Sequence, residues 1–166
     1  MSLDIDNMSV LDRRRIEALV LGPMIRAFEQ DIGRERAHAI ARRVIVKIAE
    51  EQGRALSERM GNDDLAAFSS SKDPWVRGGA LETDTLEDND RRVSFNVTRC
   101  RYAEMYRELG MADLGGIFSC GRDGALSTGF NPSIKLTRTQ TIMEGASHCD
   151  FRYTIEKDDT ASSKGE

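Results

Sequence analysis

All three cysteines of the chain, and one of its two histidines, lie between Asn96 and Arg152. Chemistry, if the protein performs any, is expected there. On a helix read from about Ala112 to Thr128, Gly116, Cys120, Asp123 and Ser127 share one face, because residues three and four apart are neighbours. A thiol and a carboxylate so placed suit a nucleophile with its base or a pair of metal ligands, and equally a small-residue face packed on a neighbouring element. Arg138 and Gln140 share a strand face with Ile134, Leu136 and Ile142. If that face is core, the guanidinium needs a carboxylate, so Arg138 is a candidate for holding an anionic substrate or for orienting Asp123. Otherwise the far end of the strand emerges into solvent.

In His148-Cys149-Asp150-Phe151-Arg152, alternation sends Cys149 inward with Phe151 and His148, Asp150 and Arg152 to the other face. His148 beside Asp150 suits acid–base work, or the row is a solvated cross-strand charge ladder. Thiolates from Cys100, Cys120 and Cys149, with water or Asp123, would complete a zinc tetrahedron, although no CxxC spacing supports one. The sequence requires no cofactor.

These residues need elements to position them. Ile16, Leu19, Val20, Met24, Ala27 and Phe28 recur at helical spacing up to about Ile32, with Pro23 inside the pattern and Gly33 as its stop. Ala37, Ile40, Ala41, Val44, Ile45, Ile48 and Ala49, then Leu56 and Met60, define a long second amphipathic helix closed by Gly61. His38 lies beside this stripe and reads as a boundary histidine. A short helix from Asn62 to Phe68, capped by Asn62 or Asp63, precedes a turn-rich loop, Trp75 as a packed plug, and an acidic connection through Glu82, Asp84, Glu87, Asp88 and Asp90. Val93, Phe95 and Val97 alternate with Ser94, Asn96 and Thr98 on a half-buried strand, with Cys100 continuing the polar row. Tyr102 to Leu109 forms a helix ended by Gly110, and after the cysteine-bearing helix the chain closes with a hairpin through Glu144 to Ser147. The expected class is α+β: two long N-terminal helices plus a strand-helix-helix-hairpin module, with helices packed on an antiparallel sheet. Residues 1–156 read as one domain, with a helical part at 8–68 and a site-bearing module at 92–156. Residues 157–166 read as a mobile tail.

Across 166 residues, 31% charged and 39% hydrophobic, the composition is that of a globular chain able to bury a core. No apolar run is long enough for a membrane span. The acidic start lacks the features of a signal peptide, so a cytoplasmic location is expected. The net charge is −4, and the arginines of the first half, Arg14 and Arg15 among them, alternate with glutamates. This reads as a solvated helical surface and argues against nucleic-acid binding. The broad apolar faces of the two long helices suit a homo-oligomer.

Phe95-Asn96-Val97-Thr98-Arg99-Cys100-Arg101-Tyr102-Ala103, Glu108-Leu109-Gly110, Phe118-Ser119-Cys120 with Asp123, Asn131-Pro132, Arg138-Thr139-Gln140-Thr141 and Gly145 through Cys149-Asp150-Phe151 occur in an order that resembles the L-2-amino-thiazoline-4-carboxylic acid hydrolase family. The resemblance extends upstream through Arg14-Arg15-Ile16-Glu17-Ala18. More remotely, the C-terminal module is similar to 4-vinyl-reductase-type domains, which bind small molecules. The resemblance implies hydrolytic opening of a cyclic amidine-like ring to an N-carbamoyl amino acid. Cys100, Cys120, Asp123, His148 and Asp150 are then the catalytic candidates, and Asn96, Arg138 and Cys149 the substrate-binding ones. The alternative is a non-catalytic small-molecule-binding or sensor domain.

Overall fold

The computed structural model describes residues 8–156; the expected tail lies outside them. Helix α1 (Val10–Ile32) begins at Ser9, whose hydroxyl accepts the Asp12 N–H, and it runs unbroken through Pro23. Gly33, at φ +83°, turns the chain directly into α2 (Arg34–Met60), and Gly61 ends α2 in the left-handed conformation. Asp64, rather than Asn62 or Asp63, caps α3 (Leu65–Ser70) through the Ala67 N–H. Trp75 lies half-buried on a single turn, α4 (Asp73–Val76).

The acidic segment expected to be a connection is a strand, β1 (Leu81–Asp88), paired antiparallel with β2 (Arg92–Cys100). It is an edge strand exposed over most of its length, so neither face imposes an apolar pattern. β2 leads into α5 (Arg101–Glu108), and the expected long helix is broken into α6 (Ala112–Gly115), a π-turn at Gly116–Cys120 and α7 (Arg122–Phe130). Of the closing hairpin, β3 (Ile134–Thr137) stops before Arg138, and Ile142 lies in a 3₁₀ turn, while β4 (Cys149–Ile155) completes an antiparallel sheet of order β1-β2-β4-β3. The class is α+β.

The N-terminal helices pack differently from expectation. The buried face of α1 is Arg14, Ala18, Gly22 and Ile25. Its apolar stripe faces outward, with Ile16, Leu19, Val20, Met24 and Phe28 each about half exposed, as is Val44 of α2. α2 instead packs on α7 at a crossing without side chains. A Cβ on Gly53 would lie 2.2 Å from the Leu126 carbonyl oxygen, and one on Gly129 would lie 2.1 Å from that of Glu50. Only glycine allows these backbones so close.

Two buried clusters result. One joins α1, α2, α5 and the π-turn around Tyr106, Leu114 and Phe118. The other joins α3, α7 and the sheet around Phe68, Val97, Phe130 and Tyr153. Leu81, Cys100 and Ile142 pack on both, and the candidate site lies at this junction.

Candidate functional site

A cavity of about 90 Å³ is lined by Arg14 of α1, Gln52 of α2, Cys100 at the end of β2, Ser119 and Cys120 of the π-turn, Arg122 and Asp123 of α7, Arg138, and Cys149 and Phe151 of β4. Five sequence candidates, Cys100, Cys120, Asp123, Arg138 and Cys149, therefore meet. Cys100 was expected on the polar face of β2 and reaches the cavity through a bulge: Glu82 pairs with Arg99 and Thr83 with Val97, leaving Thr98 unpaired. The extra residue reverses the alternation. The π-turn also has a local consequence, since it presents Ser119 and Cys120 one after the other to the cavity. Such turns recur at functional sites.

Arg138 donates from Nη1 to Asp123 Oδ2 at 2.5 Å and from Nη2 to the Cys120 carbonyl at 3.0 Å, and it lies over the Phe151 ring at 4.9 Å. Its fork is thus used within the protein, and it orients Asp123. Burial raises the Asp123 carboxyl above its ordinary range, against the pull of Arg138. Burial also opposes the charge on Arg138, but Asp123 more than offsets it and raises its pKa. The Asp123 side chain is 31% exposed, and it opens onto the cavity.

The thiols are held neutral. Burial pushes Cys100 up to about 11 although its sulfur accepts the Ala103 N–H, and burial raises Cys120, with Asp123 adding to the effect. Cys149 is raised by burial too, its sulfur accepting the Ile142 N–H. Among the described residues the three sulfurs do not gather into a compact ligand set. The group that does is Glu29, His38 and Asp113, remote from the cavity. There His38 Nε2 lies 2.5 Å from Glu29, and Arg26 bridges Glu29 and Asp113, so hydrogen bonds and ion pairs tie α1, α2 and α6 together.

The remaining candidates lie elsewhere. Asn96 accepts from Arg152 Nη2 at 2.8 Å on the other face of the sheet, where it pairs in register with Asp150. Asp150 accepts the backbone N–H groups of Thr139 and Gln140 and the Thr139 hydroxyl. Burial works to raise its pKa, but these bonds outweigh it and hold the group at about 2. It fixes the loop carrying Arg138. His148 contacts Ser147 and Gln140. The strand alternation that sends Cys149 into the cavity carries His148 and Asp150 away from it.

Two charged side chains that line the cavity were missed. Arg14, read as solvated, is 6% exposed, and its Nη1 holds both oxygens of Glu17 at 2.8 Å. Arg122, equally buried, donates to the Phe118 carbonyl, to Gln52 and to Glu17 Oε2, which it shares with Arg14. Burial, reinforced by Arg14, lowers the Arg122 pKa to about 10. Three guanidiniums, Arg14, Arg122 and Arg138, thus share two carboxylates, Glu17 and Asp123. Among the described residues one positive charge of this group remains unmatched at the cavity. A larger cleft adjoins at Arg14, Gln52 and Trp75, and the charged side chains described along it, Arg13, Arg14, Arg59 and Arg77, are all basic. The signal available in the sequence was Arg14-Arg15-Ile16-Glu17, where an arginine three residues before a glutamate faces the same way as Ala18.

Solved structures that share the fold include two of low identity. One is the phenol-responsive sensory domain of the transcription activator PoxR with phenol (TM-score 0.53, 13% identity, 81% of this chain and 72% of that one). The other is trafficking protein particle complex subunit 3 from Naegleria fowleri, covalently bound to palmitic acid (TM-score 0.52, 7% identity, 87% and 96%). No curated protein matches. The family model described as L-2-amino-thiazoline-4-carboxylic acid hydrolase matches residues 13–153, which include every residue of the Arg14–Glu17–Arg122 and Asp123–Arg138 groups, and the chain belongs to that family.

Proposed function

We propose that the protein hydrolyses a small anionic cyclic amidine of the 2-amino-thiazoline-4-carboxylate type, giving an N-carbamoyl amino acid, with Asp123 as general base. The observation that carries this reading is the pairing, at one cavity, of a partly buried carboxylate with a guanidinium charge left unmatched among the described residues. The substrate carboxylate neutralises that surplus at Arg14 and Arg122, and the amidine carbon then faces Asp123. Water adds its oxygen to this carbon as Asp123 takes a proton. The C=N electron pair moves onto the ring nitrogen in this addition and then expels sulfur: the carbon–sulfur bond breaks, the pair leaves with sulfur, and Asp123 returns the proton to it. The resulting isourea passes its O–H proton to nitrogen to become the carbamoyl group. Substrate and water are thereby converted fully to the ring-opened thiol. A carboxyl raised by burial suits both transfers, because its pKa is moved toward neutrality. Water is the nucleophile in this scheme, since all three thiols are held protonated.

Asp123→Asn is expected to lower kcat roughly 10²- to 10⁴-fold, the usual contribution of a general base. Cys100→Ser and Cys120→Ser retain activity within about tenfold, as they lose neither base nor charge. A substrate-mass adduct on either cysteine, or full activity in Asp123→Asn, defeats the mechanism. The second reading, a ligand-binding or sensor domain, is favoured by the likeness to the phenol-responsive domain. In that case wild type binds the ring acid and leaves it intact.

A further inference from the structure

We infer that the natural substrate carries an apolar ring bearing one hydrogen-bonding group, and that a second lobe of the cavity receives it; this rests on ring opening at Asp123. The lobe, about 210 Å³, meets the first at Trp75, Leu81, Asp123, Leu126 and Phe151. A substrate with its reacting carbon at Asp123 therefore has space on both sides. The carboxylate side is small and basic.

The other side is aromatic. Phe95 and Phe151, partners in register on β2 and β4, stack with centroids 4.9 Å apart and planes 7° apart, and Tyr153 lies 6.1 Å from Phe151. Arg138 lies over the Phe151 ring, and Lys72, which also lines the lobe, lies over Phe95, 5.1 Å from the centroid. An apolar cavity of roughly 150 Å³ holds benzene, so this lobe accommodates a ring. The first lobe is smaller than that and is filled by the anionic head.

Tyr153 supplies an independent observation. It is 6% exposed, it lines the lobe, and its hydroxyl has no hydrogen-bond partner among the described residues. The oxygen is not among the fully buried unpartnered atoms, so it is open to the lobe, where a phenol hydroxyl against an apolar wall ordinarily finds a partner. A polar atom on the substrate's ring substituent would complete it.

The test compares 2-amino-thiazoline-4-carboxylate with its 5-phenyl and 5-hydroxyphenyl derivatives. Calorimetric Kd values are taken on Asp123→Asn, and ring opening is followed on wild type. Burying the phenyl group is expected to tighten Kd roughly tenfold or more. The best-placed hydroxyl isomer tightens it by a further factor of about five, an increment lost in Tyr153→Phe. Binding of the bare ring as tight as that of the phenyl derivative overturns the inference, and its ring opening by wild type would show that the Asp123 reading survives. The expected order of Kd values without ring opening upholds the lobe and defeats the hydrolytic reading. If none of the three binds, both fall.

Discussion

Arg138→Gln tests the centre of the site, because Arg138 makes a charged hydrogen bond to Asp123, a second to the Cys120 carbonyl and a cation–π contact with Phe151. Removing one member of a buried pair costs roughly 3–5 kcal/mol when the other is left charged in the interior. Here the side chains are 15% and 31% exposed, and solvent screening brings the cost below that range, to about 2–3 kcal/mol. In urea unfolding that is a midpoint shift of roughly 1 M. The pH dependence is specific. Asp123 has a folded pKa above its unfolded value, so its contribution is whole below the unfolded value, about 3.9, and is lost as pH rises through the folded one. Without Arg138 the folded pKa climbs further. The variant is therefore most penalised at pH 8 and less so at pH 5, where Asp123 is more readily neutral. The acid limb of kcat/KM, which requires ionised Asp123, moves to higher pH. A penalty below about 0.5 kcal/mol, the range of an ordinary surface change, or one that is equal at pH 5 and pH 8, would refute the reasoning.

Arg14→Leu is expected to raise KM roughly 10- to 100-fold with little change in kcat, matching loss of a charge-assisted bond to the substrate carboxylate; steady-state kinetics with the acid and its neutral amide check this, the amide being insensitive. Gly129→Ala meets the Glu50 carbonyl oxygen at 2.1 Å, so α7 must shift, and the cost is about 3 kcal/mol or more by thermal unfolding. The exposed stripe of α1 with Val44 and Ile48 presents apolar area on the order of 700 Å², close to what each partner of a stable dimer contributes. Sedimentation should therefore show a dimer that Val20→Glu converts to monomer, and a monomeric wild type at micromolar concentration refutes this.

Elements with a strong period and a capping signal were legible. α1 and α2 end at Gly33 and Gly61 as read, and the alternation of Val93, Phe95 and Val97 located β2. Orientation was less legible, because an apolar stripe does not say whether its partner is the core or another surface. The stripe of α1 faces outward, while Ala18 and Gly22, with little hydrophobicity of their own, are buried beside Arg14. β1 was hidden because an exposed edge strand needs no apolar face. Cys100, Cys120, Asp123 and Arg138, read as one set, line a common cavity together with Cys149, yet the device that brings in Cys100, one unpaired residue at Thr98, leaves no local mark in composition. Arg14 and Arg122 escaped notice because a buried guanidinium is recognised only from its partners, and Glu17 lies far from Arg122 in sequence.

The crossing of α2 and α7 at Gly53 and Gly129 sets how deeply α7 sits, and α7 carries Arg122 and Asp123. Neither glycine lines the cavity. In a collection of natural variants, a substitution at either position would nonetheless behave as a change of the site itself, altering the spacing between Arg122 and its partners Glu17 and Gln52. Trimming the Glu50 or Leu126 side chain cannot restore such a variant, since the obstacle is a carbonyl oxygen and only the backbone can give way.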